Sequence, residues 1–183
     1  MERVILKTVL VLWFFVSLML VACSEEPDRP DRVRKDDAPE GVKVYDVGPA
    51  GQHTEADVDY EQTPPAGGAH NPVWQNEGFY EEPVRDENAV HTLEHGAVWI
   101  TYSPDLPQDQ KDEIRQLVEG QTCMLASPHP DLPDPVVASA WGKQLTLESA
   151  DIPDLERFVR AYRQSPQAPE PGAPCTDGVG QPL

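Results

Sequence analysis

Residues 86–102, DENAVHTLEHGAVWITY, join a charged helical segment to an apolar strand, and the arrangement of the rest of the chain depends on them. At 3.6 residues per turn, Ala89 and Leu93 lie on one side of the predicted helix and face inward. Gly96 ends this helix, because glycine adopts the left-handed backbone conformation without the steric cost of a side chain. The branched and aromatic residues that follow predict a strand at residues 97–102.

The same stretch carries a candidate metal site. His91 and His95 are one helical turn apart, which is a suitable separation for binding one ion, and Glu94 lies beside them. The letters HTLEH also match H-x-x-E-H, the inverted zinc-protease pattern in which two histidines hold the metal and the glutamate acts as base. A hydrolase of this kind needs a further acidic ligand, for which Glu156 is one of several options. The motif is short and therefore indicates a metal site without establishing a reaction.

A third histidine lies in residues 61–78, EQTPPAGGAHNPVWQNEG, a long segment rich in proline and glycine. Long loops inside small domains are usually functional or disordered, and Trp74 favours a functional one. His70 follows two glycines and precedes Asn-Pro, so a shaped backbone presents its ring, and we expect it to be the third ligand. The alternative is a structural histidine bonded to loop carbonyls. His53 is predicted to lie on the surface, and His129 is a weaker ligand candidate.

The remaining hydrophobic patterns predict a small mixed domain. Strands are expected at residues 42–47, 122–127, 136–141 and 143–147, and helices at residues 106–119 and 152–164, with Asp105 and Asp151 as their N-caps. The predicted fold class is therefore α+β, a single domain whose mixed sheet of about four to five short strands is covered by two to three helices.

The N-terminus resembles a bacterial lipoprotein signal. Basic residues precede an apolar run at residues 9–21, which ends in Leu-Val-Ala-Cys. This resemblance implies cleavage after residue 22 and lipid modification of Cys23, for example with palmitate. The alternative is an uncleaved anchor, and both place the domain on the extracytoplasmic face of the cell membrane. We expect residues 23–41 to be a flexible charged tether, residues 42–165 the globular domain and residues 166–183 a proline-rich tail.

The charge of the chain excludes nucleic acid as a partner, and its cysteines predict a disulfide. The chain has 14 basic and 32 acidic residues among 183, a net charge of −18, and such a surface repels nucleic acid. Apart from Cys23, the chain contains Cys123 and Cys175, which we expect to form a disulfide in an oxidising compartment and to pin the tail to the domain. A thiolate metal ligand is the alternative.

Several segments together resemble a family of bacterial exported proteins catalogued as domain of unknown function 3105. They span residues 57–176 and include PPAGGAHNPVWQN, HTLEHGAVWITY, SPDLP, VVASAWGKQL, FVRAYR and PEPGAPCT. The resemblance implies an anchored or secreted bacterial protein and no particular reaction. This chain departs from the family pattern at Glu77, where many members carry a cysteine.

Three functions are consistent with these features. The first is a membrane-anchored lipoprotein that binds copper or zinc through His70, His91, His95 and Glu94. The second is a non-catalytic envelope module that binds a protein or a cell-wall polymer and whose histidines are structural. The third is a small zinc hydrolase with Glu94 as its base. Because no second catalytic motif is recognisable, a binding role is favoured over an enzyme.

Overall fold

The computed structural model describes residues 38–183. The predicted signal peptide, the predicted lipidation site at Cys23 and most of the predicted tether lie outside the described residues. Among residues 38–183, no helix combines the length and the hydropathy that crossing a bilayer requires.

Residues 38–183 contain one mixed sheet of six strands together with three helices. In chain order the elements are β1 Lys43–Val44, β2 Gly78–Phe79, α1 Asp86–Glu94, β3 Val98–Tyr102, α2 Gln108–Val118, β4 Met124–Pro128, β5 Val136–Ala140, β6 Lys143–Leu147 and α3 Ile152–Tyr162. The strand order across the sheet is β1-β6-β5-β3-β4-β2. The predicted α+β class is confirmed, and the sheet has one strand more than expected because β2, only two residues long, shows no pattern of its own.

The centre of the sheet combines a parallel and an antiparallel pair. Strands β3 and β4 are parallel, with Trp99 opposite Leu125, because α2 crosses from the end of one to the start of the other. Strand β5 pairs antiparallel with β3 and with β6. The turn between β5 and β6 requires Gly142, whose φ is +67°.

Side chains along each strand point alternately to the two faces of the sheet, and a separate hydrophobic core packs on each face. Val98 and Ile100 face α2 and α3 and pack in the larger core, whereas Trp99 points to the opposite face and packs with Leu93 of α1. All residues of α1 from Glu87 onward are buried. The sequence predicted burial of one side only, and the second side is buried because the loop before β2 lies across it.

Two local predictions concern helix starts. Asp151 caps α3 as predicted, because its Oδ1 accepts a hydrogen bond from Asp154 N at 3.2 Å. Asp105 does not cap α2, and Pro107 occupies that position without a side-chain cap. The reason is a preceding turn, in which Leu106 N donates to Ser103 O at 2.9 Å and delays the helix.

The C-terminal tail is attached to the domain by a disulfide and by backbone hydrogen bonds. The sulfur atoms of Cys123 and Cys175 lie 2.04 Å apart, so the predicted cross-link is present. Beside it, Glu77 N donates to Cys175 O at 2.8 Å, and farther along Leu183 N donates to Phe79 O at 3.0 Å. Glu170 N also donates to Glu94 O at the end of α1. The tail therefore covers the helix end that carries the candidate site.

Candidate metal centre

Four side chains from three segments of the chain converge beside α1. His53, His70, His91 and Glu94 each offer one ligand atom, and these atoms all lie within 4.8 Å of one another. His70 and Glu94 are fully buried, His91 is nearly so, and His53 is exposed. The cluster thus has a buried interior and one side that faces solvent.

Helix α1 supplies His91 and Glu94, which are three residues apart and share one face of the helix. The helix ends directly after Glu94, where His95 is the C-cap and Gly96 has a φ of +92°, as the sequence predicts. Gly96 N donates to Leu93 O at 3.0 Å and closes the last turn. The ligand pair therefore sits on the final turn of a rigid element.

Backbone hydrogen bonds hold the other two histidines against this helix. His53 and His70 form an isolated parallel bridge, in which Thr54 N donates to His70 O at 2.7 Å and His70 N donates to Gln52 O at 2.9 Å. Gly51 N then donates to Glu94 Oε1 at 2.6 Å. These hydrogen bonds connect residues 51–54, the loop that carries His70 and the C-terminal end of α1.

The hydrogen bonds of the buried histidines fix which ring nitrogen carries the proton. His70 Nδ1 lies 2.8 Å from Gly68 O, and His91 Nδ1 lies 2.7 Å from Asn71 O. A carbonyl oxygen only accepts, so in each ring Nδ1 is the donor and Nε2 of the neutral ring keeps its lone pair. Metal-binding histidines are oriented in this way.

Within the cluster, His70 Nε2 and Glu94 Oε2 lie 2.9 Å apart. Although the distance is short, the two atoms are not aligned for a hydrogen bond, and within residues 38–183 neither has a hydrogen-bond partner. When the His70 ring is neutral with its proton on Nδ1, both atoms are buried acceptors, and leaving such groups unpaired is costly. A cation between them would satisfy both lone pairs at once.

Burial also favours the neutral form of His91. It lowers the pKa of this imidazole from 6.5 to about 4, because the charged ring loses hydration. The Asn71 carbonyl raises the pKa in part, and the neighbouring rings of His95, His70 and His53 lower it further. At neutral pH the ring is unprotonated at Nε2 and suited to a metal ion.

The structure does not bring His95 into this cluster, although the sequence predicts it as a ligand. Its Nδ1 donates to Pro174 O at 2.6 Å, and its Nε2 lies 3.7 Å from Glu170 Oε2. The ring is thus held by the tail, although its centroid lies only 4.6 Å from that of His91. The converging set therefore differs from the inverted zinc-protease pattern, since it contains His53 and His70 beside His91 and Glu94, and His95 is not among them.

The other candidates lie elsewhere. His129 Nε2 is 3.5 Å from Asp86 Oδ1, and Glu156 is exposed on α3, where it pairs with Arg160. The thiolate alternative is excluded because Cys123 and Cys175 are joined in the disulfide. His53, predicted as an ordinary surface residue, is the cluster member that sequence reasoning missed.

Comparison with known proteins identifies the chain at the level of a family. Searches of curated proteins and of solved structures find no match. A family model described as "Protein of unknown function (DUF3105)" matches residues 52–177, a region that contains all four side chains of the cluster. The resemblance noted from the sequence is therefore confirmed, and the chain belongs to the DUF3105 family.

Proposed function

We propose that this chain binds one transition-metal ion through His53, His70, His91 and Glu94. The observation that carries the proposal is the pair of unpartnered buried acceptors, His70 Nε2 and Glu94 Oε2, at 2.9 Å. His70 already donates its Nδ1 proton to Gly68 O, as a structural histidine would, so the atom that points to an ion is its second ring nitrogen, Nε2, which lies beside Glu94 Oε2 without a hydrogen-bond partner among residues 38–183. The remaining lone pairs face a common region of the cluster.

The ligand types favour copper(II) or zinc. Three imidazoles and one carboxylate are a nitrogen-rich, borderline set that suits both ions. Soft sulfur ligands, which favour copper(I), are not part of the cluster: the two described cysteines form the disulfide, and Met124 packs in the core with Val98. Both candidate metals are therefore divalent.

The cluster favours binding over hydrolysis. Catalytic zinc sites keep a coordination position open for water, whereas four protein ligands complete a tetrahedral site. Glu94 is also unsuited to be the base, because its Oε1 accepts from Gly51 N and its Oε2 faces His70. We propose that the protein holds or carries the ion, and that the lipid predicted on Cys23 keeps it on the extracytoplasmic face of the membrane.

Elemental analysis of the purified full chain tests this function. The protein is stripped with a chelator, incubated separately with Zn²⁺ and Cu²⁺, and desalted. We expect one ion per chain for at least one metal, and loss of that ion in His70→Ala and His91→Ala. His129→Ala is the matched control and should retain the ion. A wild-type ratio near zero with both metals would contradict the proposal and favour an envelope module with structural histidines.

A further inference from the structure

We propose that His53 is the exchangeable ligand of this site, through which the ion passes to and from small chelators or carrier proteins outside the protein. The inference rests on the metal site proposed above. In this view His70, His91 and Glu94 form a preorganised three-ligand site, and His53 closes the coordination shell from the solvent side.

Burial separates His53 from the other three ligands. His70 and Glu94 have no solvent-exposed surface and His91 retains 4%, whereas His53 is exposed. His53 is therefore the member of the cluster that an incoming ion or chelator can contact from solvent. Its ring centroid lies 4.9 Å from that of His70 and 5.0 Å from that of His91, so the exposed ring is next to the two buried ones.

Hydrogen bonds also distinguish His53 from the three buried ligands. The rings of His70 and His91 are each fixed through Nδ1 to a backbone carbonyl, and Glu94 is fixed through Oε1 to Gly51 N. The ring nitrogens of His53 make no such bond within residues 38–183, although its backbone is held by the bridge to His70. Rotation about the side-chain bonds can thus move this ring away from the ion while the main chain stays in place.

Negative charge near His53 in the chain is consistent with entry of the ion past this residue. The segment that follows it carries exposed carboxylates at Glu55, Asp57, Asp59 and Glu61, of which Asp57 pairs with Arg85. Clustered negative charge raises the local concentration of cations and speeds their encounter with the site. These carboxylates directly follow His53 in the chain, on the segment that carries the exposed ligand.

Exchange then takes place by substitution of one ligand. The Nε2 or Nδ1 atom of His53 leaves the ion, a nitrogen, oxygen or sulfur donor of the accepting molecule takes that position, and the three buried ligands release the ion afterwards. No electron is transferred, and the oxidation state of the metal is unchanged. The buried ligands need not lose their backbone hydrogen bonds before the acceptor has bound.

Transfer of the bound metal to a chromophoric chelator, followed by stopped-flow absorbance, tests this proposal. The full chain is loaded with Zn²⁺ or Cu²⁺, whichever it retains. We expect His53→Ala to keep one ion per chain and to release it at least about tenfold faster, since affinity differences of this kind lie mainly in dissociation. His70→Ala should lose the stoichiometric ion, and His129→Ala should release it at the wild-type rate.

Chemical modification gives an independent readout. Carbethoxylation mapped by mass spectrometry should modify His53 rapidly in the metal-free chain, leave His70 unmodified, and be suppressed at His53 by the bound ion. The proposal is overturned if His53→Ala releases the ion at the wild-type rate, or if it loses binding as completely as His70→Ala. Either result leaves the metal site itself standing, whereas a wild-type chain that binds neither metal removes both proposals.

Discussion

Replacing Glu94 by glutamine should stabilise the metal-free protein and abolish its response to metal. Glu94 Oε1 accepts from Gly51 N at 2.6 Å, and the amide oxygen of glutamine can keep this bond. The amide nitrogen then takes the place of Oε2, 2.9 Å from His70 Nε2. After a small rotation it can donate to that lone pair, which the carboxylate cannot do.

The expected gain follows from the cost of the unpaired atoms. A buried donor or acceptor without a partner costs about 1–3 kcal/mol. Glutamine replaces the unpaired Glu94 acceptor by a donor and gives the unpaired His70 acceptor a partner, so two such costs are relieved and we expect the free energy of unfolding to rise by about 2–6 kcal/mol. In a domain of this size, each kcal/mol raises the melting temperature by about 2–4 °C. A stabilising substitution of a fully buried carboxylate would be unusual without this explanation.

Thermal unfolding with and without excess Zn²⁺ measures both effects. When free Zn²⁺ is one hundred times its dissociation constant, the free energy of unfolding of the metal-stripped wild type should rise by about 2.7 kcal/mol. The free energy of unfolding of Glu94→Gln should not change when Zn²⁺ is added. Glu87→Gln is the matched control on the same helix, because both of its oxygens are paired, Oε1 with Val58 N and Oε2 with Arg85 Nε. It should lose about 1–3 kcal/mol and keep the wild-type response to metal.

A loss of stability in Glu94→Gln, instead of a gain, would refute this reasoning. If His70 carried a second proton, it would form a buried ion pair with Glu94, and neutralising one partner would cost about 3–5 kcal/mol. A clear fall in the melting temperature of Glu94→Gln, together with a wild type that does not respond to metal, would identify the cluster as a structural ion pair.

Three further predictions concern stability. The metal-free protein should lose stability as the pH falls from 6.5 towards 4, because His91 takes up a proton in the unfolded chain while the buried ring, with its pKa of about 4, stays neutral. Denaturant titrations at a series of pH values give the free energy of unfolding, and its dependence on pH should be weaker in His91→Gln. Replacing Cys123 and Cys175 by serine should cost about 2–5 kcal/mol in urea unfolding and expose residues 166–183 to proteolysis, and unchanged proteolysis would contradict the role given to the tail. Leu93→Ala should cost about 2–5 kcal/mol, since this side chain is fully buried between α1 and the sheet, and the metal ratio should stay unchanged by elemental analysis.

The helix and the strand around the candidate site could be predicted because their signals are local. The hydrophobic spacing in residues 86–102 predicts α1 and β3, and the only residue that could end the helix without strain is Gly96. The pairing of His91 with His95 was the natural choice from spacing. The two rings are neighbours, with centroids 4.6 Å apart, but the converging set contains His53 and not His95, whose Nδ1 donates to Pro174 O, far along the chain.

The position of His53 could not be predicted for a different reason. It reaches the cluster through a parallel bridge between two irregular segments, each without a side-chain periodicity that would indicate pairing. The glycines before His70 indicate a shaped loop but do not show which segment lies beside it. Two long-range contacts bring His53 to the site: the parallel bridge to His70, and the bond from Gly51 N to Glu94 Oε1.

Glu94 is the residue of the proposed site whose two oxygens connect the cluster to the surrounding fold. One of its oxygens holds Gly51 and therefore the segment of His53, while the other faces the position proposed for the metal. The rings of His70 and His91 are each oriented by a hydrogen bond to a backbone carbonyl, so their positions do not depend on Glu94. The ion would act at one place, by relieving the repulsion between two acceptors, and its effect on stability should therefore disappear when Glu94 alone becomes an amide.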